Sequence, residues 1–143
     1  MCAGIGEFGG WQACRQAASA DAATGKKYLV GMRAVVLMER GGAPEVREWP
    51  EPTPAEGEVK VRILAAALNH RDVWITRGAY PGVAPPVVLG SDGVGEVDGA
   101  RVLINPALHW GPREDTQGPD FEILGNPSDG TFADYVAVPA QNV

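Results

Sequence analysis

The side chains best equipped for chemistry stand in two short runs, Asn69-His70-Arg71-Asp72 and Ser91-Asp92. Asn69 can donate a hydrogen bond through its amide, Arg71 through its guanidinium and Ser91 through its hydroxyl. Each residue also has a plainer use. Asn69 is a good N-cap, because its side chain can accept from the free amides of a first helical turn. Asp72, three positions on, puts a carboxylate at the positive helix end or pairs with a nearby arginine. Ser91 and Asp92 can make a turn by bonding to local backbone. His70 and Arg71 can be ordinary solvated helix residues. His109 and Trp110 fall in a long loop, where function concentrates although most loop residues carry none.

Other motifs carry less. Gly4, Gly6 and Gly9 form a GxGxxG, but only three residues precede it. That pattern brings backbone close to a pyrophosphate only between a buried strand and a helix, so here it reads as a Gly-rich tail. Cys2 and Cys14 form no CxxC and have no neighbouring Cys/His pair. They read as free thiols in a reducing, cytoplasmic setting rather than as a disulfide framework or metal ligands. The net charge of −6 and the longest basic cluster, only Lys26-Lys27, argue against nucleic-acid binding. No apolar run approaches the ~20 residues of a membrane span.

These residues need elements to position them. With 143 residues, 45% hydrophobic, the chain suffices for one domain and is short for two. The 19 glycines and 12 prolines, scattered outside any repeat, predict many turns joining short strands. Residues 1–31 are rich in Ala and Gly without a sustained period and read as a mobile extension, with no good targeting signal. From Met32 the pattern changes. Arg33 to Met38 and Val46 to Trp49 read as strands, followed by an extended connection through Pro50, Pro52 and Pro54. Val59-Lys60-Val61-Arg62-Ile63 alternates as a strand with one wet face. It runs into Leu64-Ala65-Ala66-Ala67-Leu68, apolar on both faces and therefore expected to be buried. Asn69 to Gly78 reads as a short helix, with Gly78 at the left-handed stop. Val87 to Leu89, Val94 to Val97, Arg101 to Ile104 and Thr131 to Val138 read as strands, and residues 107–128 as a long loop.

Three ordered segments carry a resemblance: Val59 to Gly78 with its Asn69-His70-Arg71-Asp72, Pro85 to Gly95 with its Gly90-Ser91-Asp92-Gly93, and Gly130 to Pro139. Together they resemble the medium-chain dehydrogenase/reductase superfamily, which holds zinc alcohol dehydrogenases and quinone oxidoreductases. The resemblance covers residues 32–143 and implies a mainly β fold: a GroES-like, partly open β-barrel with one or two short helices. In zinc-dependent members a Cys stands at the position of Asn69 and a His at that of Ser91, with a carboxylate at Asp92. Zinc asks for thiolate and imidazole ligands. Neither Asn69 nor Ser91 supplies one, and Pro106 to Pro127 contains none of the four cysteines of the family's structural zinc lobe. No zinc is expected at either place.

The resemblance then points to the zinc-independent branch, in which hydride passes from NADPH or NADH to an activated carbonyl or quinone. It implies Asn69, Arg71 and Ser91 as catalytic candidates lining the substrate cleft, where donors can hold a developing oxyanion. It implies His70 as a residue facing the cofactor phosphates. The family's dinucleotide site needs a following Rossmann domain, whose strand, Gly-rich turn and helix do not appear before Val143. The expectation is a substrate-side domain that does not bind NADP or NAD alone and is inactive alone, with a small-molecule substrate in the complete enzyme. A homo-oligomer is compatible with this reading, and a non-enzymatic GroES-like binding or oligomerisation module is its alternative. A co-chaperonin is the poorer third reading, because a shared fold does not carry function. One departure stands out: only Asp98-Gly99-Ala100 separates Val97 from Arg101, where the family has a longer excursion. A tight Asp-Gly hairpin turn can replace it, or a deletion strains the fold.

Overall fold

The computed structural model describes Ser19–Ala20, Lys27–Tyr28 and residues 31–143. The mobile extension expected for residues 1–31 lies largely outside the described residues. Within it, β1 (Ser19–Ala20) and β2 (Lys27–Tyr28) pair antiparallel. Gly31 already belongs to β3 (Gly31–Leu37), which pairs along β4 (Glu45–Pro50). There follow β5 (Glu58–Ala67), helix α1 (His70–Thr76), β6 (Val87–Val88) and β7 (Asp92–Val97). The chain continues as β8 (Ala100–Leu103), β9 (Ala107–Leu108), β10 (Glu122–Ile123) and β11 (Tyr135–Pro139), then a 3-10 turn at Ala140–Asn142. The mainly β fold read from the sequence is the one observed.

Two antiparallel sheets make the body, ordered β11-β5-β7-β8 and β4-β3-β6. The segment just before β11 ties them together. Val35 N donates to Phe132 O at 2.8 Å, Asp134 N to Arg33 O at 3.0 Å, and Ile63 N to Asp134 O at 2.9 Å. Strand β3 buries alternate residues, Met32, Ala34 and Val36, and then Leu37 as well. Val61, Val136, Val138, Ile104, Leu108 and Leu124 form one core cluster. A second gathers Leu37, Ile75, Val87 and Leu89, and so seats α1 through Ile75.

The Asp98-Gly99 turn closes a two-residue hairpin, with Val97 opposite Ala100. Both turn residues have positive φ, 49° and 82°, the backbone such a hairpin requires. The 107–128 segment is not wholly loop, because β9 and β10 pair across its base.

The expectation that Leu64 to Leu68 is buried is wrong: Leu64 is 45% and Leu68 85% exposed. Two features cause this. The register of β5 against β7 shifts between Ile63 and Ala65, which disturbs the in-out alternation. In addition, β11 accompanies β5 only as far as Arg62, so the end of β5 keeps a neighbour on one side alone. Replacing Leu68 with lysine should therefore leave the unfolding free energy within about 0.5 kcal/mol and raise the concentration at which the protein aggregates. Denaturant titration and light scattering would check this.

Behind the bend that precedes β7, backbone meets backbone. Gly90 (φ 95°) lies against the Phe132 ring, and a Cβ on Gly125 (φ 89°) would collide with the Gly90 carbonyl. Gly130 N, Phe132 N and Thr131 N donate to Val88 O, Leu89 O and Gly90 O, each at 2.9 Å. A Gly125→Ala variant combines positive-φ strain with overlap and should lose roughly 2–4 kcal/mol, read as a lower denaturation midpoint at unchanged slope.

Candidate functional site

The start of α1 and the Gly90-Ser91-Asp92 bend face each other. Asn69 is extended (φ −117°, ψ 153°) and caps the helix, its carbonyl accepting from Asp72 N at 3.0 Å. The Asp72 carboxylate reaches back and accepts from Asn69 N at 2.8 Å. The Asn69 side chain also reaches across the gap: its Nδ2 donates to Asp92 Oδ2 at 2.8 Å. A carboxylate is a stronger acceptor than most, and it draws this amide across the gap. Asp72 is buried, and its Oδ1 has no partner.

Arg71 and Ser91 meet directly, Arg71 Nη1 donating to Ser91 Oγ at 2.6 Å. The same nitrogen donates to Leu124 O at 2.8 Å, and Nη2 reaches Asn126 O at 3.4 Å. The guanidinium carbon stands 4.8 Å from the centre of the Tyr80 ring, within cation–π range. Ser91 is buried. Asn126, buried too, uses its side chain to hold the loop before β6, accepting from Ala84 N at 3.2 Å and donating to Gly82 O at 3.3 Å.

The three catalytic candidates, Asn69, Arg71 and Ser91, thus come together with Asp92: Asn69 pairs with Asp92, and Arg71 with Ser91. His70 is exposed beside them, its ring edge-on to Trp74 at 5.6 Å. His109 and Trp110 make their contacts within their own loop. His109 Nε2 lies 3.9 Å from Glu122, and Trp110 packs edge-on against Phe121 at 5.4 Å. In that loop the Arg113 guanidinium holds the exposed Asp115 carboxyl below its ordinary range. Tyr80, Leu124 and Asn126 were missed by sequence reasoning, and no local signal points to them. Two of the three contacts use a main-chain carbonyl, which any residue offers.

The residues present do not fit a zinc of the family type. At the two key positions stand an amide and a hydroxyl, both already bonded within the protein. Among the described residues, no three His, Cys, Asp or Glu gather as a metal site. The one α-helix among the described residues has 7 residues and follows no Gly-rich turn. A cavity of about 620 Å³ opens elsewhere, between Trp49, Pro52, Asp129 and Tyr135, and shares no residue with this cluster. Among the described residues, no helix is long and apolar enough to cross a membrane.

Residues 55–143, which include both polar pairs, match the alcohol dehydrogenase GroES-like domain family. An acryloyl-coenzyme A reductase of Metallosphaera sedula is 46% identical over 66 residues, 46% of this chain and 20% of that protein. A zinc-type alcohol dehydrogenase-like protein of Schizosaccharomyces pombe is 32% identical over 126 residues, 78% of this chain and 36% of that one. The crystal structure of an NAD-dependent alcohol dehydrogenase superposes with a TM-score of 0.70 at 44% identity, over 78% of this chain and 38% of that chain. The quinone oxidoreductase of Thermus thermophilus superposes with a TM-score of 0.58 at 33% identity, over 78% of this chain and 31% of that chain. The chain therefore spans only 20% and 36% of the length of these two curated relatives. With that match falling on the strands and the helix that assemble the site, the chain belongs to the alcohol dehydrogenase GroES-like domain family, within the medium-chain dehydrogenase/reductase superfamily.

Proposed function

We propose that this chain is the substrate-side domain of an NAD(P)H-dependent oxidoreductase acting on a carbonyl, quinone or alcohol, that it works without zinc, and that it is inactive alone. The observation that carries the zinc-independent part is the bonding of Asn69 to Asp92 and of Ser91 to Arg71. At the positions where the resemblance implies metal ligands, the protein closes on itself with hydrogen bonds. The oxidoreductase part is supported by relatives described as a reductase, an NAD-dependent dehydrogenase and a quinone oxidoreductase in complex with NADPH.

In the complete enzyme a bound nicotinamide would supply the hydride to a carbonyl or quinone, or accept it from an alcohol. This chain contributes the half-buried Asn69 amide, oriented by Asp92 toward one edge of the bend, as a donor for a substrate oxygen. His70, exposed one residue further on, is the candidate for a cofactor phosphate. The exposed apolar end of β5 leads directly into Asn69. An apolar surface beside a site suits cover by a second body, which would also exclude water from the reaction.

Two measurements test this. Purified chain, incubated with excess zinc and desalted, should retain far less than one zinc per chain by mass spectrometry. One tightly held zinc would overturn the zinc-independent reading. Titration with NADPH, followed by nicotinamide fluorescence, should give no saturable binding in the micromolar range. Saturable binding there would place a cofactor site in this chain and refute its inactivity alone on that ground.

A further inference from the structure

Two bonds join the same two segments. Asn69 reaches Asp92, and two residues further along the helix Arg71 reaches Ser91, one residue before Asp92. They form two rungs between the start of α1 and the bend. Arg71 alone carries a rung further, to the Leu124 and Asn126 carbonyls of the neighbouring turn. Its donors leave little for a ligand. Nη1 already has two acceptors, Nη2 points to Asn126, and Nε is buried without a partner. Its oxygen partners are all neutral, and among the described residues no carboxylate forms a salt bridge with it. The contacts therefore use the shape of the guanidinium, a planar fork that can engage several acceptors at fixed angles, rather than neutralisation of its charge.

We propose that Arg71 is a positioning residue, not a donor to substrate: its guanidinium cross-links α1, the Ser91 bend and the Leu124–Asn126 turn, and so fixes Asn69 against Asp92. The proposal rests on the reading above only in taking this cross-link to be metal-free. Lysine cannot do the same, because an ammonium on a flexible stem offers no rigid fork across three acceptors.

The test is NMR on the whole chain, comparing the natural protein with Arg71→Lys and Ser91→Ala. In the natural protein the Arg71 Nη protons should be resolved and slow to exchange. In Arg71→Lys the Asn69 side-chain amide should shift toward its solvated position. Amides 91–92 and 124–126 should exchange about tenfold faster or more, as loss of charged hydrogen bonds implies, while Val97 and Ala100 of the distal hairpin keep their rates. Ser91→Ala, which removes one acceptor and keeps the guanidinium, should move the same amides less. It keeps the test alive if Arg71→Lys does not fold. Averaged, fast-exchanging Nη protons in the natural protein would refute the proposal. So would an unmoved Asn69 amide in a folded Arg71→Lys, or uniform acceleration that includes the hairpin in either variant. Zinc uptake, which would sink the earlier reading, is measured separately and leaves these outcomes legible.

Discussion

Gly90, Gly125 and Gly130 meet with no side chain between their backbones, and a Cβ on Gly125 or Gly130 would overlap the Gly90 carbonyl. That close approach lets three stretches of chain converge where two would ordinarily fit. It brings the Leu124 and Asn126 carbonyls within reach of the arginine that also touches Ser91. It also lets residues 130–132 donate in turn to 88–90, which joins the bend to the segment tying the two sheets. Steric room, set by the missing Cβ atoms, comes first. The polar cluster follows from it.

The cluster sits at a boundary between core and solvent. Ser91, Asp72 and Asn126 are buried, Asn69 and Arg71 partly so, and His70 is exposed. Hydrogen bonds strengthen in such surroundings, and any polar group left unmatched costs correspondingly more. Arg71 Nε and Asp72 Oδ1 are unmatched, each on a side chain whose other polar atoms are engaged. An arrangement that tolerates two such atoms holds its geometry from several directions at once. The seating of Ile75 in the second apolar cluster supplies one of them.

Much of this was legible in the residues themselves. Alternation marked the first half of β5, and Asn69, Asp72 and Gly78 marked both ends of α1. The Asp98-Gly99 pair marked a hairpin that is there. Such signals are local, carried by the backbone preferences of a few adjacent residues. The exposure of Leu64 to Leu68 was not legible, because it depends on where a strand far along the chain stops pairing. Nor could Asn69 reveal that its side-chain amide also reaches Asp92, 23 positions on. The donors could be picked out by type, but their acceptors are mostly main-chain atoms and distant side chains brought close by the sheets.

The clamp at the mouth of α1 is made of a guanidinium, a hydroxyl, an aromatic ring and peptide carbonyls. None of these groups is a thiol that peroxide or an alkylating electrophile would attack. A thiolate–metal junction at the same place would be open to both. The described part of this chain, which contains no cysteine at all, holds its bend together with atoms indifferent to the redox state of their surroundings.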